Sequence, residues 1–449
     1  MRRNTISASV YLALVVVAIV SRVWQVPYGR DVGVALTASF LLLEITRTPA
    51  LQRNVGLVLT ILGAISAWYG DNLGPALYDA LDRAQIFMVM FFAVMWLRDP
   101  AVASPSLHDL RDAVVRQPPG RRYPILWLSS HILGAVLNLA SMSLLSVMAA
   151  EQRDNRLRRR LSIALMLGFT TASSWGPFYV SVAVILTAIP SVSYADIAPL
   201  GILLSSIMLA VGWVYDRVFL WQAPTSGTQL PSSPLTLRTV GRAGLILLLL
   251  ACSVLTTHQI TGLSIPIALG VIGPPFAIIW TVLQSNIAGG RILIGRIFQS
   301  APDLRNEAVA FCAASVFGFG VAQVLPPERI AAHLSAWNLG GDAIVIAVIF
   351  GMAVASAIGL HPVILVILIG EVLPPEVIGV PAPLLAIALL GVWGISTMVS
   401  PFSATTLFMS RVLNVPSHII AWRWSMPVVT ITTILVAVYV VILRHLFYS

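Results

Sequence analysis

Apolar runs separated by short polar joints rich in arginine occupy almost the whole chain. About 20 apolar residues in a helix cross the hydrocarbon core of a bilayer. On that measure helices are predicted over residues 6–24, 33–46, 55–70 and 84–97. Residues 98–122 are polar, but Leu107, Leu110, Val114 and Val115 predict a short helix lying on the membrane interface.

The next run, residues 124–150, has Arg121 and Arg122 before it and Arg153, Arg156, Arg158, Arg159 and Arg160 after it. A single crossing would place one cluster on each side of the bilayer, which the cytoplasmic retention of arginine-rich loops opposes. The run holds 27 residues, too few for two full spans. A re-entrant hairpin that enters from the cytoplasm and turns back inside the membrane meets both constraints. Its tip falls among residues 134–143, where Asn138, Ser141 and Ser143 are the polar members. Irregular backbone at that depth persists only when buried in protein or lining a wet cavity, so the hairpin points to a transport site.

Residues 161–188 form an apolar segment interrupted by Thr170-Thr-Ala-Ser-Ser-Trp-Gly-Pro177, which predicts a broken helix with polar groups at mid-membrane. A helix over 198–214 follows. After it, residues 221–242 read as a cytoplasmic linker rich in Pro, Ser, Gly and Thr. Helices are then predicted over 243–258, 264–284 and 308–325, with a basic loop holding Arg291, Arg296 and Arg305 before the last. An external amphipathic piece spans 326–341. The run 343–373, broken at Ser356-Ala-Ile-Gly-Leu-His-Pro362 and flanked by acids, predicts a second hairpin entered from outside. Residues 384–413 are again interrupted, at Ser396-Thr-Met-Val-Ser-Pro401-Phe-Ser-Ala-Thr-Thr406, and a helix over 426–443 closes the pattern.

The two halves repeat. Each reads as three helices, a hairpin, a broken helix and a final helix, and each break contains Pro-Phe, at Pro177-Phe178 and Pro401-Phe402. Asn138 precedes Pro177 by 39 positions and His361 precedes Pro401 by 40. Five crossings per half give opposite orientations. The expected fold is an all-α polytopic membrane protein of about 11 transmembrane helices. An extra helix occupies residues 1–30, a first inverted repeat 31–220, the linker 221–242 and a second inverted repeat 243–449. The N-terminus then lies in the cytoplasm and the C-terminus in the periplasm of a bacterial inner membrane. On this topology 22 arginines fall inside and 5 outside, as the positive-inside rule requires.

Composition agrees: 58% of residues are hydrophobic and only 10% charged, with a mean hydropathy of +0.89, which excludes a soluble domain. All 27 basic residues are arginine. In short loops they set topology and meet anionic headgroups, so the charge of +9 does not imply nucleic acid. Cys252 and Cys312 lie in apolar runs, with neither a disulfide nor a metal site expected. Met1-Arg-Arg and the apolar stretch after it read as an uncleaved first helix. No phosphate loop, metal-ligand cluster or nucleotide fingerprint points to an enzyme, and no cofactor is expected beyond Na+ or H+ as a coupling ion.

This layout resembles the ion transporter superfamily, and within it the divalent anion/sodium symporters, with citrate, gluconate and arsenite-type permeases as cousins. Those symporters carry Ser-Asn-Thr at each hairpin tip. Here Leu137-Asn138-Leu139 keeps the asparagine, whereas Gly359-Leu360-His361-Pro362 lacks the motif. The resemblance implies an elevator-like transport domain and a homodimer in the lipid bilayer.

Half-helix N-termini hold anions and C-termini hold cations. With no basic side chain expected at mid-membrane, an anion falls to backbone dipoles and hydroxyls. The candidate substrate-binding residues are Asn138, Ser141, Ser143, Ser173, Ser174, Gly176 and Pro177 from the first half. From the second half they are Ser356, Gly359, His361, Pro362, Ser400, Pro401, Ser403, Thr405 and Thr406. The alternative is that these residues permit close packing or rebond freed backbone groups. His361 offers a proton carrier; for His131, a neutral ring bonded to backbone is the simpler reading. Glu371 reads as a solvated leg end, Trp175 and Trp393 as packing or pocket walls, and Glu44 and Arg22 as interface anchors. The function expected is secondary transport of a small anion, organic acids first, coupled to H+ or Na+. The alternatives are an inorganic ion or metalloid exporter or cation–proton antiporter, and a polymer-export component or non-transporting scaffold.

Overall fold

The computed structural model describes residues 2–152, 154–221 and 236–448. Most of the expected linker, residues 222–235, lies outside the described residues, as does Arg153. The described residues are all helical or irregular. Before the linker the helices are α1 (Arg2–Trp24), α2 (Gly29–Glu44), α3 (Ala50–Tyr69), α4 (Leu73–Ala103), α5 (Pro105–Val115), α6 (Pro119–Leu137), α7 (Leu139–Leu145), α8 (Val147–Ala150), α9 (Asn155–Thr171), α10 (Val180–Ala188) and α11 (Tyr194–Tyr215). After it come α12 (Leu237–Thr261), α13 (Ile265–Gln284), α14 (Ile287–Ser300), α15 (Arg305–Val324), α16 (Pro327–Ala336), α17 (Gly341–Ala357), α18 (Pro362–Val372), α19 (Pro375–Ile378), α20 (Ala382–Val399), α21 (Ala404–Leu413) and α22 (Met426–Phe447).

Among the described residues nine helical stretches are long and apolar enough to cross a membrane, or ten if the bent pair Pro327–Ala336 and Gly341–Ala357 counts as one. Two of the expected 11 crossings are not among the nine: α2 has only 16 residues, and the first broken helix divides into α9 of 17 residues and α10 of 9, each too short to span alone without tilt or thinning. The expected basic loop is also helical. Asn286 caps α14 by accepting from Gly289 N at 3.0 Å, and Arg291 and Arg296 lie on that helix.

The chain forms two compact units, and both halves contribute to each. The first comprises residues 1–100, 250–338 and 363–377. Its tightest packing is α3 on α15, set by glycines seven residues apart. Cβ atoms at Gly56, Gly63 and Gly70 would collide with Val309, the Val316 carbonyl and Gln323, themselves seven apart. Small residues let helix backbones approach where lipid supplies no hydrophobic drive. Glu44 is fully buried and accepts from Ser7 Oγ at 2.6 Å, Arg47 at 2.9 Å and Arg305 at 3.2 Å. Asp82 holds Arg22 at 3.1 Å and Arg30 at 2.7 Å. Glu44 and Arg22, each near the end of its helix, are thus members of ion-pair networks. Glu371 pairs with Arg83, whose guanidinium lies 4.3 Å from the Phe319 ring.

The second unit comprises residues 101–249, 339–362 and 378–449. At its centre lie α9 and α20, buried nearly all round: every residue of Arg160–Thr171 is buried, as is every residue from Leu384 to Val399 except Thr397. Runs apolar on all faces form such central helices. α6 packs along α9, and α17 along α20, the same pairing in each half. The short helix expected from Leu107, Leu110, Val114 and Val115 is α5, with Leu107, Leu110 and Val114 turned into the protein. Near its start α9 carries Arg160, which pairs with Asp216 at 2.5 and 2.7 Å in a buried site beside Tyr123.

The first hairpin lies wholly in this unit. Its turn is Asn138, at φ 51° and ψ −135°, and α7 beyond it packs on α6, α9 and α5. The second differs: its incoming leg α17 belongs to this unit, whereas α18 from Val363 belongs to the first. Its turn runs from Ile358 to His361, with Gly359 at φ 108°.

Candidate functional site

The two interruptions have the same chemical cause. A proline has no N–H, so the carbonyl four residues before it loses its helical partner. In the first break Pro177 orphans Ser173 O, which accepts instead from Ser181 Oγ at 2.9 Å. In the second, Pro401 orphans Thr397 O, which accepts from Ser403 Oγ at 2.5 Å and Thr406 Oγ1 at 3.1 Å. Each break is thus closed by a hydroxyl from beyond the proline. Ser403 also caps α21 by accepting from Thr406 N at 3.1 Å, as a serine at that position does.

Every candidate site residue falls in the second unit. Each tip also meets the break of its own half. A Cβ on Gly176 would lie 3.1 Å from Ala135 Cα, three residues before Asn138, and one on Gly359 would lie 2.6 Å from the Phe402 ring. The broken helices cross at Gly394, where a Cβ would collide with the Thr170 carbonyl and Ser173 Oγ. Gly201 of α11 sits as tightly against Ser174 O. Sequence reading missed Gly394 and Gly201; Gly394 is foreshadowed only by the small residues around Ser396.

The candidates divide by what their side chains already do. Ser141 Oγ donates to Asn138 O at 2.8 Å and Ser173 Oγ to Thr170 O at 2.7 Å. With Ser403 and Thr406 these are engaged in holding backbone, the alternative raised from the sequence. Ser143 is exposed. Ser174 and Ser356 are buried and their Oγ atoms have no hydrogen-bond partner. Among the described residues the hydroxyls of Ser400 and Thr405 and the amide of Asn138 also make no side-chain hydrogen bond. A buried unmatched hydroxyl costs about 1–3 kcal/mol; Ser104, Ser315 and Ser425, outside the candidate set, carry unmatched buried hydroxyls as well.

The histidines differ from each other. Trp175 Nε1 donates to His131 Nε2 at 3.0 Å, so that nitrogen is unprotonated. His131 Nδ1 then donates toward Thr171 Oγ1 at 3.1 Å and Gly168 O at 3.2 Å. His131 is a neutral brace between α6, α9 and the first break, as the simpler reading held, and Trp175 is its partner. Tyr194 Oη further ties Trp175 O at 2.9 Å. His361 is exposed, with its ring edge-on to Trp393 at 6.2 Å.

Comparison with protein-family models and with curated proteins finds no match for this chain. Among solved structures it is similar to the YdaH transporter of Alcanivorax borkumensis, a structure described as having an unusual topology. The TM-score is 0.55 at 13% identity, over 79% of this chain and 85% of that one. The chain therefore shares the fold of a membrane transporter.

Proposed function

We propose that this protein is a secondary active transporter of a small anion, with organic acids as the preferred class, coupled to H+ or Na+. The observation that carries the reading is the gathering of both tips and both breaks in one unit, with unmatched hydroxyls from each half. The anion is held by Asn138, Ser174, Ser356, Ser400 and Thr405 together with the positive N-terminal end of α21. Helix N-termini favour negative charge through aligned peptide dipoles, and a site without a basic side chain can still release its cargo. Gly176, Pro177, Gly359, Pro362 and Pro401 shape the backbone, while Ser141, Ser173, Ser403 and Thr406 keep it bonded. His361, exposed at the second tip, is the candidate proton carrier.

The matching proline breaks, one per half, favour two inverted repeats, 31–220 and 243–449, joined by the linker. The hairpin-bearing unit would carry the site through the bilayer by an elevator-type displacement, in a homodimer of a bacterial inner membrane. Uptake of labelled organic acids into proteoliposomes, with sodium and pH gradients imposed separately, tests the proposal. Gradient-dependent accumulation that is lost in Ser174→Ala and Asn138→Ala supports it. Flux indifferent to both substitutions removes the pocket, and accumulation of inorganic ions alone replaces the substrate class.

A further inference from the structure

A polar cavity in the second unit is lined by none of the residues of the two breaks, and its chemistry differs from theirs. It has a volume of about 230 Å³ and is lined by Ser106, Asp109, Arg238 and Arg242. That is room for a phosphate group with several waters, at about 30 Å³ per water. Arg238 and Arg242 are one helical turn apart at the start of α12, where the first turn has no acidic residue. Two cations at the positive end of a helix are an electrostatic mismatch that a bound anion relieves. Ser106 lies in the first turn of α5, which also has no acid there. Ser104, at the cap of the same helix, is 1% exposed and its hydroxyl has no partner. Two helix N-termini, two arginines and the Ser106 side chain thus meet at one cavity. Among the described residues neither arginine makes an ion pair or hydrogen bond, and Asp109 makes none.

We propose that this cavity binds a phosphate group at the membrane surface. Asp109 offsets one of the two arginine charges, which leaves the site suited to a single negative charge, that of a phosphodiester. The candidate span of α12 begins at Val240, between the two arginines, which puts them at headgroup depth, where arginines attract anionic lipid. The phosphate can belong to a lipid headgroup or be free in solution; the two sources share the same chemistry.

The test uses full-length protein and the Arg238→Gln/Arg242→Gln variant, both side chains being exposed. Native mass spectrometry counts phosphatidylglycerol retained after delipidation, and thermal denaturation is followed with added inorganic phosphate. The expected result is retention that falls about fivefold for each arginine removed, on the order of 25-fold for both. Asp109→Asn, which leaves both arginines in place, should raise retention. A thermal shift with inorganic phosphate, lost in the variant, with no lipid difference assigns the site to the free ion. Equal lipid retention and equal phosphate response in wild type and variant overturn the proposal, and a normal melting curve for the variant excludes misfolding as the cause of any loss.

Discussion

Gly394 is the point of closest approach between the two broken helices. The Gly394→Ala substitution adds one methyl group where α20 crosses α9, and its nearest neighbours there include the Thr170 carbonyl as well as Ser173 Oγ. A flexible side chain could swing away; a backbone carbonyl inside a buried helix cannot. The two broken helices must part, and overpacking of this kind costs about 1–3 kcal/mol. The same substitution also gains about 0.5–1 kcal/mol of helix propensity. Gly351→Ala on α17 supplies the reference, because nothing lies within 4 Å of a Cβ there. The propensity gain is common to both variants, so their difference isolates the crossing. Detergent-solubilised protein followed by thermal denaturation should show Gly394→Ala less stable than Gly351→Ala by about 1–3 kcal/mol. Reconstituted flux should be lost in the first and kept in the second. Equal stability and equal flux would refute the close crossing and the pocket built on it.

Other outcomes follow from the same geometry. Ser174→Ala and Ser356→Ala should leave the protein without substrate as stable or more so, by up to about 1–3 kcal/mol, because an unmatched buried hydroxyl is removed; flux should nevertheless fall. Asn138 occupies φ 51°, ψ −135°, a strained region for a side chain that costs about 1–3 kcal/mol. Asn138→Gly should therefore denature at a higher temperature than Asn138→Ala, while both lose flux if the amide contacts the anion. Arg160→Ala or Asp216→Ala alone should destabilise by about 3–5 kcal/mol, since each leaves a buried charge unpaired; chemical denaturation measures it. Both ring nitrogens of His131 are already engaged, so His131→Gln should lower stability without moving the pH profile of flux, whereas His361→Gln should move it.

The breaks were legible because proline acts locally: Pro177 and Pro401 announce a lost hydrogen bond whatever surrounds them. What stayed hidden depends on partners distant in sequence. Nothing near Glu44 names Ser7 or Arg305 as its partners, and nothing near Gly394 names Thr170 as its neighbour. The roles of individual hydroxyls divided for the same reason. Ser403 and Ser174 look alike in sequence, yet one rebonds the carbonyl that Pro401 strands and the other faces no partner. Arginine misled in α14, where Arg291 and Arg296 suggested a loop but lie on a helix capped by Asn286.

The pocket claim is met most directly by a cryo-electron microscopy map of the protein in lipid nanodiscs with a transported organic acid present. Density for the acid is expected between the two Pro-Phe breaks, within hydrogen-bonding reach of Asn138, Ser174 and the start of α21. Density for the acid elsewhere, with Ser174 and Ser356 still unmatched around an empty crossing, would contradict it.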